Sequence, residues 1–181
     1  ALYFQRDGTL NTDAVWVNAG SVTSSSWVAL PLMLSTTGRL VTLAVSTSIT
    51  EVLHDGKTIL MTGEGSARTF TLPAATGSGA KYRFVVGEVN TSNYIINSSV
   101  GTDLMRGLIF GQSATDSATD AARTWLAGAT DDSILLNGTT TGGVSIGDWV
   151  ELEDISATAW AVRWMIAQSG AEATPFRDAV A

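Results

Sequence analysis

Cysteine is absent from the 181-residue chain, and histidine occurs only once, as His54. Without a thiol the protein has no disulfide, no thiolate nucleophile and no cysteine-based zinc site. A structural zinc site needs several histidine or cysteine ligands, so a single imidazole is too few. A serine-type catalytic triad would have to use His54 as its base. Because His54 lies in the turn-like stretch Leu-His-Asp-Gly-Lys, we predict a histidine without a catalytic role.

Charge is also scarce, since only 15% of the residues carry it, against about 25% in an ordinary soluble domain. Ten Lys and Arg oppose 17 Asp and Glu, which gives a net charge of −7. A small domain exposed on all sides needs more charge to stay soluble, so the composition predicts a chain that other chains cover. The acidic balance, with basic residues spaced singly along the sequence, argues against nucleic-acid binding.

Long apolar runs are missing. The most apolar stretch, residues 27–34 (WVALPLML), contains a proline and is shorter than the roughly 18–20 residues of a membrane-spanning helix. No basic segment followed by an apolar one opens the chain, so we expect no signal peptide. Ala1 is compatible with a trimmed initiator Met, which predicts a cytosolic start. A 45% apolar share predicts an ordered chain with a sizeable core.

Strand patterns dominate the sequence. Short runs rich in Val, Ile, Thr and aromatic residues alternate with Gly, Asn, Ser and Asp, which is typical of β-strands joined by turns. Residues 58–61 and 69–72 predict a hairpin. Residues 133–136, 149–152 and 160–167 predict an antiparallel meander, whose last strand places Trp160, Val162, Trp164 and Ile166 on one face. We therefore predict an all-β protein, an antiparallel sandwich or a barrel-like β-domain.

Helix patterns are weak, and no alternation of strands and helices is visible. Residues 117–127 fit either a short helix ending at Gly128 or a strand, because three threonines lie within or beside them. The fold therefore contains at most one short helix. The composition changes near residues 35–38, since the chain is uncharged from Ala14 to Gly38. We predict an extended N-terminal segment over residues 1–38 and a β-rich domain over residues 39–181.

Motifs that carry chemistry are incomplete. Gly56-Lys57-Thr58 ends like a phosphate-binding loop, but Glu51 stands where such a loop needs its first glycine. Ser78 and Lys81 match an S-x-x-K pattern, yet a strand follows instead of the required helix. The nearby carboxylates are those of Asp148, Glu151, Glu153 and Asp154. They fit a solvated face better than glycoside hydrolysis or a calcium site. We predict no catalytic, cofactor-binding or metal-binding residues.

Tryptophan is abundant, with six copies. Trp149, Trp160 and Trp164 fall in strong strand patterns and are predicted to be core residues. Trp16 and Trp27 lie in the N-terminal segment, where core packing and intersubunit contact are both compatible with the pattern. A sugar-binding aromatic surface is a third interpretation of these two residues.

The strand-and-turn motifs resemble a known family. Residues 69–87 (TFTLPAATGSGAKYRFVVG), 133–143 (SILLNGTTTGG), 147–154 (GDWVELED) and Trp160-Ala161-Val162 are together similar to head decoration, or cement, proteins of tailed bacteriophages. Similar motifs occur in phage tail fibres and spikes. The resemblance extends over about two thirds of the chain, residues 51–176. Its motifs are structural, so it assigns no catalytic residue.

This resemblance implies a non-enzymatic virion protein, made in the host cytoplasm, that binds the outside of the assembled capsid. It implies a homotrimer whose partners are the major capsid protein and its own copies, with neither nucleic acid nor a membrane. The alternative is a tail-fibre or spike module that recognises a host-surface glycan, and a carbohydrate-active enzyme using Glu151 and Glu153 is a third hypothesis. Capsid or intersubunit contacts are expected at apolar residues of the N-terminal segment, namely Leu2, Tyr3, Phe4, Trp16, Trp27, Leu30, Leu32 and Leu34.

Overall fold

The computed structural model describes residues 2–5, 14–18, 27–30, 38–114 and 122–180. The chain divides into two compact units, Ala1–Gly38 and Arg39–Ala181. The described residues form fifteen strands and one helix of four residues, which confirms an all-β protein with at most one short helix. No helix in these residues is long and apolar enough to cross a membrane.

The first unit contains one antiparallel sheet. Its strands are β1 (Leu2–Gln5), β2 (Ala14–Asn18) and β3 (Trp27–Leu30), in the spatial order β1-β2-β3. β2 is therefore the central strand and pairs with both neighbours.

The second unit contains two sheets. Its elements in chain order are β4 (Leu40–Leu43), β5 (Thr47–Ser48), α1 (Glu51–His54), β6 (Lys57–Met61), β7 (Arg68–Thr71), β8 (Lys81–Val86), β9 (Tyr94–Asn97), β10 (Leu104–Ser113), β11 (Arg123–Leu126), β12 (Ser133–Leu136), β13 (Trp149–Ser156), β14 (Ala159–Gln168) and β15 (Phe176–Arg177). The seven-stranded sheet has the order β11-β10-β14-β13-β8-β6-β4, and the five-stranded sheet has the order β15-β12-β9-β7-β5.

Both sheets are mixed rather than purely antiparallel. β10 and β14 run parallel over their whole length, from Leu104 beside Ala159 to Ser113 beside Gln168. β6 also runs parallel to β4 and β8, and β7 runs parallel to β5 and β9. Parallel neighbours need long connections, and these connections carry the chain from one sheet to the other.

One hydrophobic core joins the two sheets. Alternate residues of the inner strands point into this core, as in β8, where Tyr82, Phe84 and Val86 are buried. Phe70 of the five-stranded sheet packs against Phe84 of the seven-stranded sheet, with ring centroids 5.8 Å apart. The predicted inner face of the last long strand is confirmed, since Trp160, Val162, Trp164 and Ile166 are all buried.

Two local predictions are wrong. Residues 58–61 and 69–72 do not form a hairpin, because β6 and β7 belong to different sheets. The predicted meander keeps only its β13–β14 pair, since β12 lies in the five-stranded sheet. For residues 117–127, where a short helix and a strand were both open, the structure has a strand at Arg123–Leu126, and residues 117–121 lie outside the described part of the chain.

Candidate interaction surfaces

The residues expected to make contacts in the N-terminal segment fall on its three strands. Leu2, Tyr3 and Phe4 lie on β1, Trp16 lies on β2, and Trp27 and Leu30 lie on β3. The register places Tyr3 beside Trp16, and Leu30 beside Val15. Leu32 and Leu34 lie outside the described residues.

The first unit's sheet has apolar positions on both faces. Residues paired directly across antiparallel strands share a face. The register therefore assigns six apolar residues to one face: Leu2, Phe4, Val15, Val17, Val28 and Leu30. It assigns Tyr3, Trp16, Trp27 and Ala29 to the other. A single sheet cannot cover its own faces, so a second layer must come from outside these three strands.

An apolar strip crosses the outer face of the seven-stranded sheet. It consists of Leu108 and Phe110 on β10, Leu126 on β11 and Met165 on β14, which are 46%, 53%, 76% and 62% exposed, respectively. Phe110 lies beside Met165, and Leu108 lies beside Leu126, in the strand register. Phe110 and Met165 also line an open cavity of about 430 Å³. Contiguous exposed apolar side chains of this kind mark interaction sites.

Trp149 extends this strip toward the centre of the sheet, where it lies beside Met165 in the register. It is half-buried on the outer face, whereas Trp160 and Trp164 are buried as predicted. The guanidinium carbon of Arg83 lies 4.6 Å from the centroid of the Trp149 ring. This distance is that of a cation–π contact.

Glu151 and Glu153 share the outer face, as the strand alternation predicts, but cations surround them. The Oε1 atom of Glu153 lies 3.4 Å from Lys81 Nζ, and its Oε2 atom lies 3.9 Å from an Arg163 nitrogen. Glu151 lies between Arg83 and Arg163 in the strand register. Both carboxylate oxygens of Glu153 are therefore paired with cations.

Asp154 is separate from these two glutamates, because the alternation turns it inward, and it is only 1% exposed. Its carboxylate accepts hydrogen bonds from the backbone nitrogens of Thr76, Gly77 and Ser78 and from two hydroxyl groups. Burial alone would raise the pKa of Asp154, but these donors outweigh burial and lower it below its ordinary value. Asp154 is therefore an ionised clamp for the loop before β8.

Asp148, the fourth carboxylate of the predicted group, has a structural contact of its own. It accepts a hydrogen bond of 3.0 Å from the backbone nitrogen of Ala167 on the neighbouring strand. Burial raises the pKa of Asp148, and the backbone donors around it counteract this effect only in part. In the described residues, no group of three His, Asp or Glu side chains is arranged to hold a metal ion.

The remaining chemical motifs have structural partners. His54 ends α1 and is buried, with its Nδ1 atom 3.1 Å from the backbone nitrogen of Thr50. The Ser78 hydroxyl contacts Glu51 and Asp154, and β8 follows it. The sequence also contains one G-x-S-x-G pattern, residues 143–147. It lies in the loop before β13, whereas a nucleophile elbow joins a strand to a helix.

A basic notch, formed by Lys57, Lys81 and Arg83, was not foreseen from the sequence. These side chains line a cavity of about 190 Å³ together with Gly56, Thr58 and Glu151. The basic residues are spaced singly in the sequence, and only the parallel pairing of β6 with β8 brings them together. The one available signal was that Lys81 and Arg83 share a strand face.

No model of a known protein family matches this sequence, and no curated protein matches it significantly. The resemblance to phage virion proteins therefore stays a prediction based on the strand-and-turn motifs. Evidence for a function must therefore come from the surfaces described above.

Proposed function

We propose that the protein is a structural component of a tailed-bacteriophage virion, a decoration protein that binds the outside of the assembled capsid and stabilises it. The observation that carries the proposal is the N-terminal sheet, whose register assigns apolar residues to both faces. Two strands of the sheet, β2 and β3, lie in the stretch that is uncharged from Ala14 to Gly38. Such a sheet needs a partner layer, and an assembled shell or sister subunits supply one.

The physical chemistry of a shell suits this role. A protein that binds only the assembled lattice shifts the assembly equilibrium toward the shell by mass action. Many copies acting together convert modest contacts into a large total stabilisation. The protein acts at the capsid surface after synthesis in the host cytoplasm, with the major capsid protein as its main partner. A closed homotrimer would also cover exposed sheet edges.

The proposal excludes catalysis, nucleic-acid binding and membrane binding as functions. Three of the side chains that suggested chemistry have structural partners. Glu153 is paired with Lys81, Asp154 is held by a loop, and His54 is buried against its own helix. Their arrangement supports a binding role.

The test measures occupancy on undecorated capsids of the phage that encodes the chain. The full chain should bind at high copy number, whereas residues 39–181 alone should not bind. The truncated form retains every buried apolar residue of the core, so circular dichroism should show that it folds. In the full chain, Val15→Asp with Val17→Asp should also abolish binding, because two charges would enter one apolar face.

Equal occupancy of the truncated and full chains would contradict the role of the N-terminal sheet. The alternative, a host-recognition module, predicts saturable binding to a host-surface glycan and few copies per virion. A glycan array and a quantitative gel of purified virions separate the two functions.

A further inference from the structure

The basic notch concentrates positive charge in an acidic protein. Both lysines of the chain, Lys57 and Lys81, line it beside Arg83, although acidic residues outnumber basic ones by 17 to 10. Like charges repel one another, so such a cluster is destabilising unless an anion offsets it. The cluster therefore points to a ligand.

The backbone holds the notch in place. The backbone nitrogen of Lys81 donates a hydrogen bond of 2.8 Å to the Asp55 carboxylate, and the Gly56 nitrogen donates one of 2.9 Å to the Lys81 carbonyl. These bonds tie the turn after α1 to the start of β8. Thr58 then lies beside Arg83 in the parallel register, so the three cations are positioned before any ligand arrives.

Two of the three cations have no anionic partner among the residues that the structure describes. Within the described residues, Lys57 and Arg83 make neither an ion pair nor a side-chain hydrogen bond. The guanidinium carbon of Arg83 lies 4.6 Å from the centroid of the Trp149 ring. The guanidinium N–H groups make no hydrogen bond within the described residues, so they stay available to a planar acceptor. The third cation, Lys81, already forms an ion pair, since its Nζ atom lies 3.4 Å from the Oε1 atom of Glu153.

The balance of charges around the notch favours a ligand that carries a single negative charge. Glu151 lines the notch, and Glu153 and Asp55 border it. Arg163 lies beside both glutamates, so four cations face three carboxylates and one positive charge is in excess. A carboxylate carries one charge and accepts two parallel hydrogen bonds from a guanidinium group. A phosphate group at neutral pH carries close to two charges and would be repelled by the neighbouring glutamates.

The surroundings of the notch select a protein as the source of the carboxylate. From Trp149, the same face continues through Met165 to Phe110 in the strand register. Aromatic residues, Met and Arg are the residue types enriched in protein interfaces. We propose that the basic notch binds an Asp or Glu side chain of a partner protein, while the apolar strip packs against apolar residues next to that side chain. The inference rests on the proposed function only in taking this partner to be a virion protein.

The binding chemistry can be tested without the partner. The full ¹⁵N-labelled chain is titrated with N-acetyl-glutamate methylamide, glucuronate or inorganic phosphate at matched ionic strength, and backbone amide shifts are recorded. The glutamate probe should shift amides of residues 56–58, 81–83 and 149–151 saturably and should bind more tightly than the other two. Arg83→Gln should weaken this binding about tenfold, the loss expected for a charged hydrogen-bonded pair.

Matched variants make the result specific. Arg123→Gln removes a cation that pairs with Glu172 outside the notch, and it should leave the affinity for the probe unchanged. Arg83→Lys keeps the positive charge but loses the planar guanidinium group. Its affinity for the glutamate probe should therefore lie between those of Arg83→Gln and the unchanged chain. Tighter binding of phosphate or glucuronate, or no saturable shift in the notch, overturns the assignment.

The partner is tested separately. On capsids, the full chain with Lys57→Gln and Arg83→Gln should show lower occupancy than the chain with Arg123→Gln. Equal occupancy of these two variants overturns the assignment of the carboxylate to a capsid protein. Because the titration contains no capsid, its outcome is independent of whether the proposed decoration function holds.

Discussion

Asp154 accepts a hydrogen bond of 2.8 Å from the backbone nitrogen of Gly77, a residue 77 positions earlier in the chain. Gly77 lies in the connection that leaves β7 in the five-stranded sheet and enters β8 in the seven-stranded sheet. This connection crosses between the sheets, so several of its backbone nitrogens have no strand partner. A buried carboxylate at the end of β13 supplies the acceptors instead.

The clamp makes the stability of the protein depend on pH. The folded-state pKa of Asp154 is lowered, so its stabilisation is present above the unfolded-state pKa of about 4 and is lost as the pH falls through the folded-state pKa. Asp154→Asn should reduce the free energy of unfolding at neutral pH by about 2–4 kcal/mol and flatten its acid dependence. Urea unfolding between neutral and acidic pH measures both effects.

The control for this prediction is Asp178→Asn, which removes an exposed carboxylate and should leave the pH dependence unchanged. If Asp154→Asn retained the acid dependence of the unchanged chain, the clamp would not be its source.

Two buried tyrosines predict substitutions of opposite effect. The Tyr94 hydroxyl donates a hydrogen bond of 2.9 Å to the Glu88 carbonyl, whereas the buried Tyr82 hydroxyl has no hydrogen-bond partner. Tyr94→Phe should therefore destabilise the protein by about 1 kcal/mol, and Tyr82→Phe should be neutral or stabilising, because it removes an unsatisfied polar group. Thermal unfolding of the two variants compares them directly, and a reversed order would refute the argument.

Gly107 predicts a severe effect from one added methyl group. Its φ is +136°, and a Cβ there would overlap the backbone oxygen of Val162 on the paired strand β14. Gly107→Ala should therefore disrupt the β10–β14 pairing. Gly65→Ala is the matched control, since Gly65 has a φ of +82° but open space around it. That control should lose only about 1–2 kcal/mol from backbone strain, and an equal loss in both variants would exclude the overlap as the cause.

Substitutions in the apolar strip should weaken binding without changing stability. Phe110→Ser with Met165→Ser removes two exposed apolar side chains, so the free energy of unfolding should change by less than about 1 kcal/mol. Retention on a hydrophobic column and occupancy on capsids should both fall. Val52→Ser, at a residue of α1 that is 92% exposed, should alter neither occupancy nor stability. Unchanged capsid occupancy after the double substitution would remove the strip from the interface.

The alternation of apolar and polar residues predicted the strands well, because it depends only on residues that are neighbours in the sequence. It placed Trp160 and Trp164 on the buried face of β14 correctly. The same alternation could have separated Asp154 from Glu151 and Glu153, since Asp154 shares its face with Leu152. The sequence prediction treated the carboxylates as one group because they are close in the sequence, and it therefore missed that Asp154 points the other way.

Strand partners could not be predicted in the same way. Antiparallel neighbours were expected for residues 58–61 and 69–72 because a short loop joins them, but the loop crosses from one sheet to the other. Which sheet a strand joins depends on core contacts between residues far apart in the sequence. Phe70 and Phe84, for example, pack against each other from opposite sheets. The basic notch was missed for the same reason, because it depends on the pairing of β6 with β8.

The long parallel pairing of β10 with β14 also sets the order in which the protein can fold. β10 lies between β11 and β14 in the sheet, and 45 residues separate its end at Ser113 from the start of β14 at Ala159. A growing chain therefore releases β10 from the ribosome well before its parallel neighbour exists, with Met105 and Ile109 still uncovered. Such non-local pairing folds slowly and exposes an aggregation-prone edge meanwhile. Added chaperones, which cover such an edge, should therefore raise the yield of soluble protein.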